Sequence, residues 1–425
     1  MPHDNIILAR FPELGEHSVA PPALLPFPRI DEAQFELSEQ WAGRNVAPGV
    51  LAMLGNVFVR RGRYVDALEA YRVAADLDPS DALAHWACAE IAHVLDDAAT
   101  SRTYRARALA LRRVYPDPLP VSGRTPVLLL LRDAPYSVNT PLELLLDRSR
   151  VAVHKYYVEG DALPALPPFA LAFCAFGAAD AAAAATQRAA ELLDGSSSPS
   201  INDPACLQRT ARESLARTLA GIDGVFAVDA RVATREELES IELPSLVRPI
   251  DTHAGEGLAL LGTAKDLERH LVRFPAERYA VSPFIEYRSG DGFYRKLRVI
   301  FVDGVAYPYH LAIAPQWMVH YQSSPMREMP ALREEERRFL EAPARTVPSW
   351  ERVMPRIARA IGLDYFGIDA TLLSDGRLLI FEADAAMLVH DEDPRDVFAY
   401  KRPFVARIRE ALHTAIASRT RQETH

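Results

Sequence analysis

The chain has 425 residues, 49% of them hydrophobic, and a formal net charge of −9 at pH 7. That length supports about two to four domains around sizeable cores, and the acidic balance argues against a nucleic-acid partner. No apolar run approaches the ~20 residues that span a bilayer, the N-terminus has no basic, apolar leader, and Cys88, Cys174 and Cys206 lack ligand spacing, so a cytoplasmic protein with reduced thiols is expected.

Residues 1–45 are proline-rich, with PPALLPFP at 21–28, and read as an irregular extension. From 46 to 116 the pattern is helical. Leu51, Leu54, Gly55, Phe58, Tyr64, Ala67, Tyr71, Ala74 and Pro79 are spaced as in a tetratricopeptide repeat, which this unit resembles, and Gly62 fills the turn. A poorer second copy carries Trp86, Ala89, Ala92, Tyr104 and Ala108. So few repeats cannot close a core, so these helices are expected to dock on the rest of the chain or on a protein or peptide partner; a plain helical hairpin is the other reading.

PDPLPVSGRTP (116–126) breaks the pattern. PVLLLLR (126–132), VAVHKYYV (151–158) and FALAFCAF (169–176) read as buried parallel strands, with helices expected from about 141 to 148 and 180 to 193. This alternation predicts a small Rossmann-like domain over 124–205, without a GxGxxG and hence without a dinucleotide. SPSINDP (198–204) is a turn cluster leading into a helix at 205–220, followed by a strand near 224–228 and a helix at 234–241.

SLVRPID (245–251) places Arg248 inside an apolar strand, where a phosphate is one reason for a charge. His253-Ala254-Gly255-Glu256-Gly257 follows, a loop whose N–H groups could approach phosphate oxygens; an ordinary hairpin loop is the plainer alternative. RYAVSPFIEY (278–287) enters a proline-marked hinge. FYRKLRVIFVDGVAY turns at Asp303-Gly304, with Lys296 and Arg298 on one face and Leu297, Val299 and Phe301 on the other. Two cations there would suit a polyphosphate, or would simply face solvent. The stretch 310–345 reads as irregular before a charged helix at 331–341; a helix at 350–361 and a terminal one at 394–417 complete the pattern.

The hairpin GIDATLLSDGRLLIFEAD is the most informative piece. A two-residue turn at Asp375-Gly376 sets Asp369 opposite Glu382, with side chains ~5 Å apart on one face and Asp384 beside them. Three carboxylates on one face suggest a hard divalent ion; a solvated edge is the alternative.

The order of these pieces resembles the ATP-grasp superfamily, which includes glutathione synthetase and the ligase that adds glutamate to a ribosomal protein. The resemblance covers about residues 125–415. It implies an α+β fold with a Rossmann-like domain followed by an ATP-grasp domain over 206–417. It also implies an enzyme that joins a carboxylate to an amine through an acyl phosphate, with ATP and Mg²⁺ or Mn²⁺ as cofactors, and it allows a homodimer. Arg248 then matches the phosphate lysine, Ala254–Gly257 the phosphate loop with His253 before it, and Pro283, Phe284 and Ile285 the adenine hinge with Glu286 beside them. Arg298 matches the arginine that reaches the phosphates, with Lys296 on its face. Asp369 and Glu382 match metal carboxylates, and Asp384 the asparagine of Glu-x-Asn. Arginine at 248, proline at 283 and aspartate at 384 depart from the pattern, and the lysine ahead of the central subdomain has only Arg209 or Arg212 as counterparts. No general base is assigned, with His253, His310, His320 and His390 as options. A phosphotransferase on this fold, or a scaffold with a degenerate site, are the competing readings.

Overall fold

A computed structural model describes residues 47–421 apart from 119–120, 137, 161, 179–181, 251–256, 322, 392 and 394. The extension at 1–45 lies outside them.

The described chain opens with four helices, α1 (Pro48–Arg60), α2 (Tyr64–Leu77), α3 (Ala82–Val94) and α4 (Ala98–Leu111). Asp81 and Asp97 cap α3 and α4 by accepting backbone N–H bonds. Gly55 is where α1 and α2 meet: a Cβ there would stand 2.5 Å from the Tyr71 ring, whose hydroxyl donates to Asn56 at 2.7 Å. The second pair does not end in solvent. Trp86 packs on Tyr157 and Tyr115, and Ala82, Ala108 and Leu109 join the core of the next domain. The helices therefore dock on their own chain.

That domain is a five-stranded sheet of order β1-β3-β2-β4-β5, from β1 (Val114–Tyr115), β2 (Thr125–Leu131), β3 (Val151–Tyr157), β4 (Leu171–Cys174) and β5 (Ser200–Ile201). All but β1 run parallel, as the unbroken apolar runs require. The helix expected at 141–148 is only a 3₁₀ turn, Leu142–Leu144, while α5 (Ala183–Asp194) forms. SPSINDP contributes β5, and Asn202 exchanges two 2.8 Å hydrogen bonds with the backbone of Tyr365. The helix expected at 205–220 is broken at Ala211, whose backbone is extended, so that α6 is Arg212–Leu219.

Two further sheets follow, the first antiparallel throughout and the second antiparallel except at one edge strand, which pairs parallel. One has order β7-β10-β8-β9, from β7 (Arg231–Thr234), β8 (Ser245–Pro249), β9 (Ala259–Leu261) and β10 (Arg278–Pro283), covered by α7 (Ala264–Arg273). The helix expected at 234–241 is β7 plus a 3₁₀ turn, where the Glu237 carboxylate accepts from the Thr234 N–H. The other has order β12-β11-β13-β14-β6, from β6 (Val225–Ala227), β11 (Tyr294–Val302), β12 (Val305–Ala314), β13 (Tyr365–Leu372) and β14 (Leu378–Asp384). Asp303 and Gly304 both have positive φ, giving the tight turn expected of Asp-Gly. Strand β12 runs on to Ala314, so that 310–314 is ladder and not irregular chain.

One face of this last sheet is core. Leu297, Val299, Phe301, Phe366, Ile368, Leu378 and Ile380 pack with residues of α8 (Pro330–Glu341) and α9 (Trp350–Ile361). The other face is apolar at one end, where Ile300, Val302 and Tyr365 meet the parallel domain and α10 (Arg402–Arg421), and charged at the other. The chain is a mixed α+β protein with a tetratricopeptide-like helical start. No helix among the described residues is long and apolar enough to cross a membrane.

Candidate active site

The charged end of that face is built by ladder register. Across four strands, His310, Arg298, Asp369 and Glu382 are successive cross-strand partners, β12 to β14. Asp369 and Glu382 are thus opposite each other, as the sequence predicts, but by a different route. The loop has three residues, since Leu373 accepts and donates around Ser374-Asp375-Gly376 and Gly376 has φ 83°. A bulge at Phe381 then restores the register. Leu378 and Ile380 point into the core, so strict alternation would have carried Glu382 inward too. Burying that carboxylate would be costly, and the extra residue turns Glu382 outward onto the face of Asp369.

Asp369 is 1% exposed and receives three charge-assisted contacts. Arg298 donates from Nε to Oδ1 at 2.7 Å and from Nη2 to Oδ2 at 2.9 Å, and Lys296 Nζ stands 2.8 Å from Oδ2. Burial alone would push this carboxyl up, but Arg298 and Lys296 hold it well below the usual carboxylate range. Burial pulls the Arg298 guanidinium the other way, and Asp369 and Glu382 more than compensate. Glu382 is more open and lies 3.7 Å from Arg212 at the start of α6. Asp384 is pushed up to about 6 by burial, although its Oδ1 accepts the Ala386 N–H at 2.8 Å; Glu382 adds to the rise. Gly177 of the parallel domain lies against Asp384, where any side chain would collide with the carboxylate. Thr140 donates to Ala385 O at 3.0 Å beside it.

These contacts bear on the expected metal set. Magnesium asks for near-octahedral oxygen donors at ~2.1 Å. Both Asp369 oxygens are taken by cations, Glu382 leans toward Arg212, and Asp384 is tied to its own loop. Among the described residues no group of three His, Cys, Asp or Glu is arranged to hold a metal ion. The three carboxylates share a face, yet they do not fit a resident Mg²⁺ as arranged: the sequence showed the acids and the cations Lys296 and Arg298, but not that both cations would reach Asp369.

The remaining candidates divide. Arg212 stands at the site, whereas Arg209 donates to Ile361 O at 3.3 Å and caps α9. Arg248 is buried on β8, opposite Ala280 of β10. His253, Ala254, Gly255 and Glu256 lie outside the described residues; Gly257, with φ 63°, presses on Pro249, and no side chain fits there. Pro283 ends β10, and Phe284, Ile285 and Glu286 lead across to the charged sheet. That crossing is aromatic, a feature sequence reasoning missed. Phe284 meets Trp317 edge-on at 5.8 Å between centroids, and Tyr287 packs on Tyr294 at 4.8 Å and on the bulged Phe381 at 5.0 Å. His310, His320 and His390 all gather here, each held below the usual imidazole range first by burial and then by nearby cations, Arg298 among them.

Residues 55–93 match the TPR-repeat family, within α1–α3. Curated proteins gave no significant match. Among solved structures the chain is similar to an ATP-grasp RimK domain protein from Sphaerobacter thermophilus, at 17% identity and TM-score 0.39 over 68% of this chain and 98% of that one. It is also similar to a D-alanine-D-alanine ligase from Coxiella burnetii (10%, TM-score 0.37, 61% and 72%). A third likeness is to a carboxyaminoimidazole ribonucleotide synthase from Aspergillus clavatus in complex with ATP (13%, TM-score 0.35, 53% and 55%). Likenesses this distant carry no chemistry to this chain; its own residues must.

Proposed function

We propose that this chain is an ATP-dependent carboxylate–amine ligase that works through an acyl phosphate. The observation that carries the reading is the pair Arg298 and Lys296, fixed on Asp369 at one end of a sheet whose other end is closed by packing. Arg248, buried in the sheet that the aromatic hinge joins to this one, adds a third cation, and the hinge offers an apolar wall for a base.

The substrate carboxylate attacks the γ-phosphorus, ADP departs, and the amine then attacks the acyl carbon with loss of inorganic phosphate. Arg298 and Lys296 meet the negative charge that grows on the transferring phosphoryl group. Because Asp369 holds them in place beforehand, little reorganisation is needed during reaction. Magnesium enters this reading only as the ion that ATP itself chelates. The substrates would be a small-molecule or peptide carboxylate and an amine, and the repeat-like helices would hold a protein or peptide partner or brace the fold.

Calorimetric titration of ATP into wild type and Lys296→Ala tests this. Binding in the wild type, weakened at least about tenfold in the variant, is expected from loss of one phosphate-facing cation. The pairs of carboxylate and amine that then release phosphate must yield amide with it. Absence of ATP binding sinks the reading, and phosphate transfer to a hydroxyl without amide replaces it by a phosphotransferase.

A further inference from the structure

His310 is held with more apparatus than packing requires. It is the ladder partner of Arg298, so its imidazole shares the face of Arg298 and Asp369, and it is 6% exposed. Its ring stacks on Tyr321, 4.6 Å between centroids and 23° from parallel. The Tyr321 hydroxyl donates to Glu336 at 2.9 Å, and that fully buried carboxylate also receives the Tyr400 hydroxyl and the Leu311 N–H. Lys401 Nζ lies 4.0 Å from the Tyr321 centroid. A buried glutamate thus fixes a tyrosine, and the tyrosine fixes the imidazole. Yet His310 Nε2 is buried and has no hydrogen-bond partner among the described residues. A buried polar nitrogen left unpaired is destabilising, and folded chains keep few of them without a reason.

The charged groups that act most strongly on this ring are the cations Arg298, Lys401 and Lys296 and the carboxylate of Asp369. Burial and these cations keep the ring neutral, which makes it a poor acceptor of a proton from an ammonium ion. A neutral imidazole with Nε2 protonated is instead a donor, and a surrounding of cations favours an anionic oxygen as its partner.

We propose that His310, through Nε2, is a binding residue for an oxyanion of the ligand held by Arg298 and Lys296, completing a donor set that spans β12 and β11. The inference rests on the ligase reading for the nature of that oxyanion, a phosphoryl or carboxylate oxygen. The geometry asks only for the oxyanion.

Inorganic phosphate is the probe, titrated into the full chain by calorimetry and followed by ¹⁵N NMR of the histidine rings. Phosphate should move the His310 Nε2 resonance, identified by its absence in His310→Phe. His310→Phe keeps the ring stack but should bind phosphate about tenfold more weakly, the loss of one charge-assisted hydrogen bond. Its melting temperature should be unchanged or higher, because an unpaired buried nitrogen is gone. His310→Gln, which can still donate, should recover part of the affinity, and it serves alone if the phenylalanine variant misfolds. Equal phosphate affinity in wild type and variants, or a stationary Nε2 resonance while heat is released, overturns the inference. ATP titrated into the same samples separates the two readings: ATP bound with phosphate indifferent to His310 removes this inference alone, and neither ligand bound removes the ligase reading with it.

Discussion

Asp369 is the residue on which the charged face turns. Its carboxylate satisfies Arg298 bidentately and Lys296 at once, in a setting from which water is largely removed. Taking away one partner of such a set leaves buried charge uncompensated, a loss larger than the net worth of the pair. Asp369→Asn should therefore destabilise the fold by about 3 kcal/mol, read as a lower urea midpoint at unchanged slope. A variant as stable as wild type would mean that Arg298 and Lys296 find other anions. The acids of this face are legible in the sequence, since Asp369 and Glu382 flank a clear hairpin. Their partners are not: nothing in the spacing of Arg298 or Arg212 says which carboxylate each will meet, because those contacts cross strands far apart in the chain.

Elements show the same division. The hairpin β13–β14 follows from apolar alternation around Asp-Gly, yet its three-residue loop and its bulge at Phe381 do not. The bulge reconciles two demands that local sequence states separately, apolar Leu378 and Ile380 inward and charged Glu382 outward. In the helices the local signal was stronger. Gly55 falls where a repeat of this kind needs a small residue, and the Tyr71 ring fills the space a side chain would take. Gly55→Leu should overpack this contact and destabilise the unit by about 2 kcal/mol, seen as an earlier thermal transition. If the melt does not move, the two helices have room that their packing does not suggest. The helices expected at 141–148 and 234–241 each stop at a single 3₁₀ turn, neither of them held by a side-chain cap hydrogen bond, although Leu142, Leu145 and Leu146 are buried.

For the molecule as a whole, the joint between the helical unit and the parallel domain matters most. Trp86 on Tyr115 and Tyr157 provides its apolar part, and Glu90 its polar part. Glu90 is 3% exposed; Oε2 accepts the Tyr136 N–H at 3.4 Å, while Oε1 has no partner among the described residues. Burial pushes its carboxyl up to about 7, with Arg105 opposing. The folded-state value lies above the unfolded one, so the folded chain binds the extra proton. The stability this contributes is full below about pH 4 and is lost as pH rises through about 7. Glu90→Gln should thus be more stable than wild type near pH 8.5, by up to about 3 kcal/mol, with the gap closing near pH 5. Thermal melts across that range check it, and a gap independent of pH would show that Glu90 does not titrate at the joint.

The sequence by itself determined the elements with strong local periodicity: the repeat-like helices, the parallel strands, the Asp-Gly turns and the acid hairpin. Those signals arise from contacts within a few residues or from one face of one element. Only the tertiary structure decided which cations meet Asp369, that Arg212 and not Arg209 reaches the site, that aromatic side chains bridge the hinge, and that Glu336 and Tyr321 hold His310. Each of these depends on strands and loops brought together from distant parts of the chain, where the energy of a contact is set by burial and by the neighbours that fold supplies.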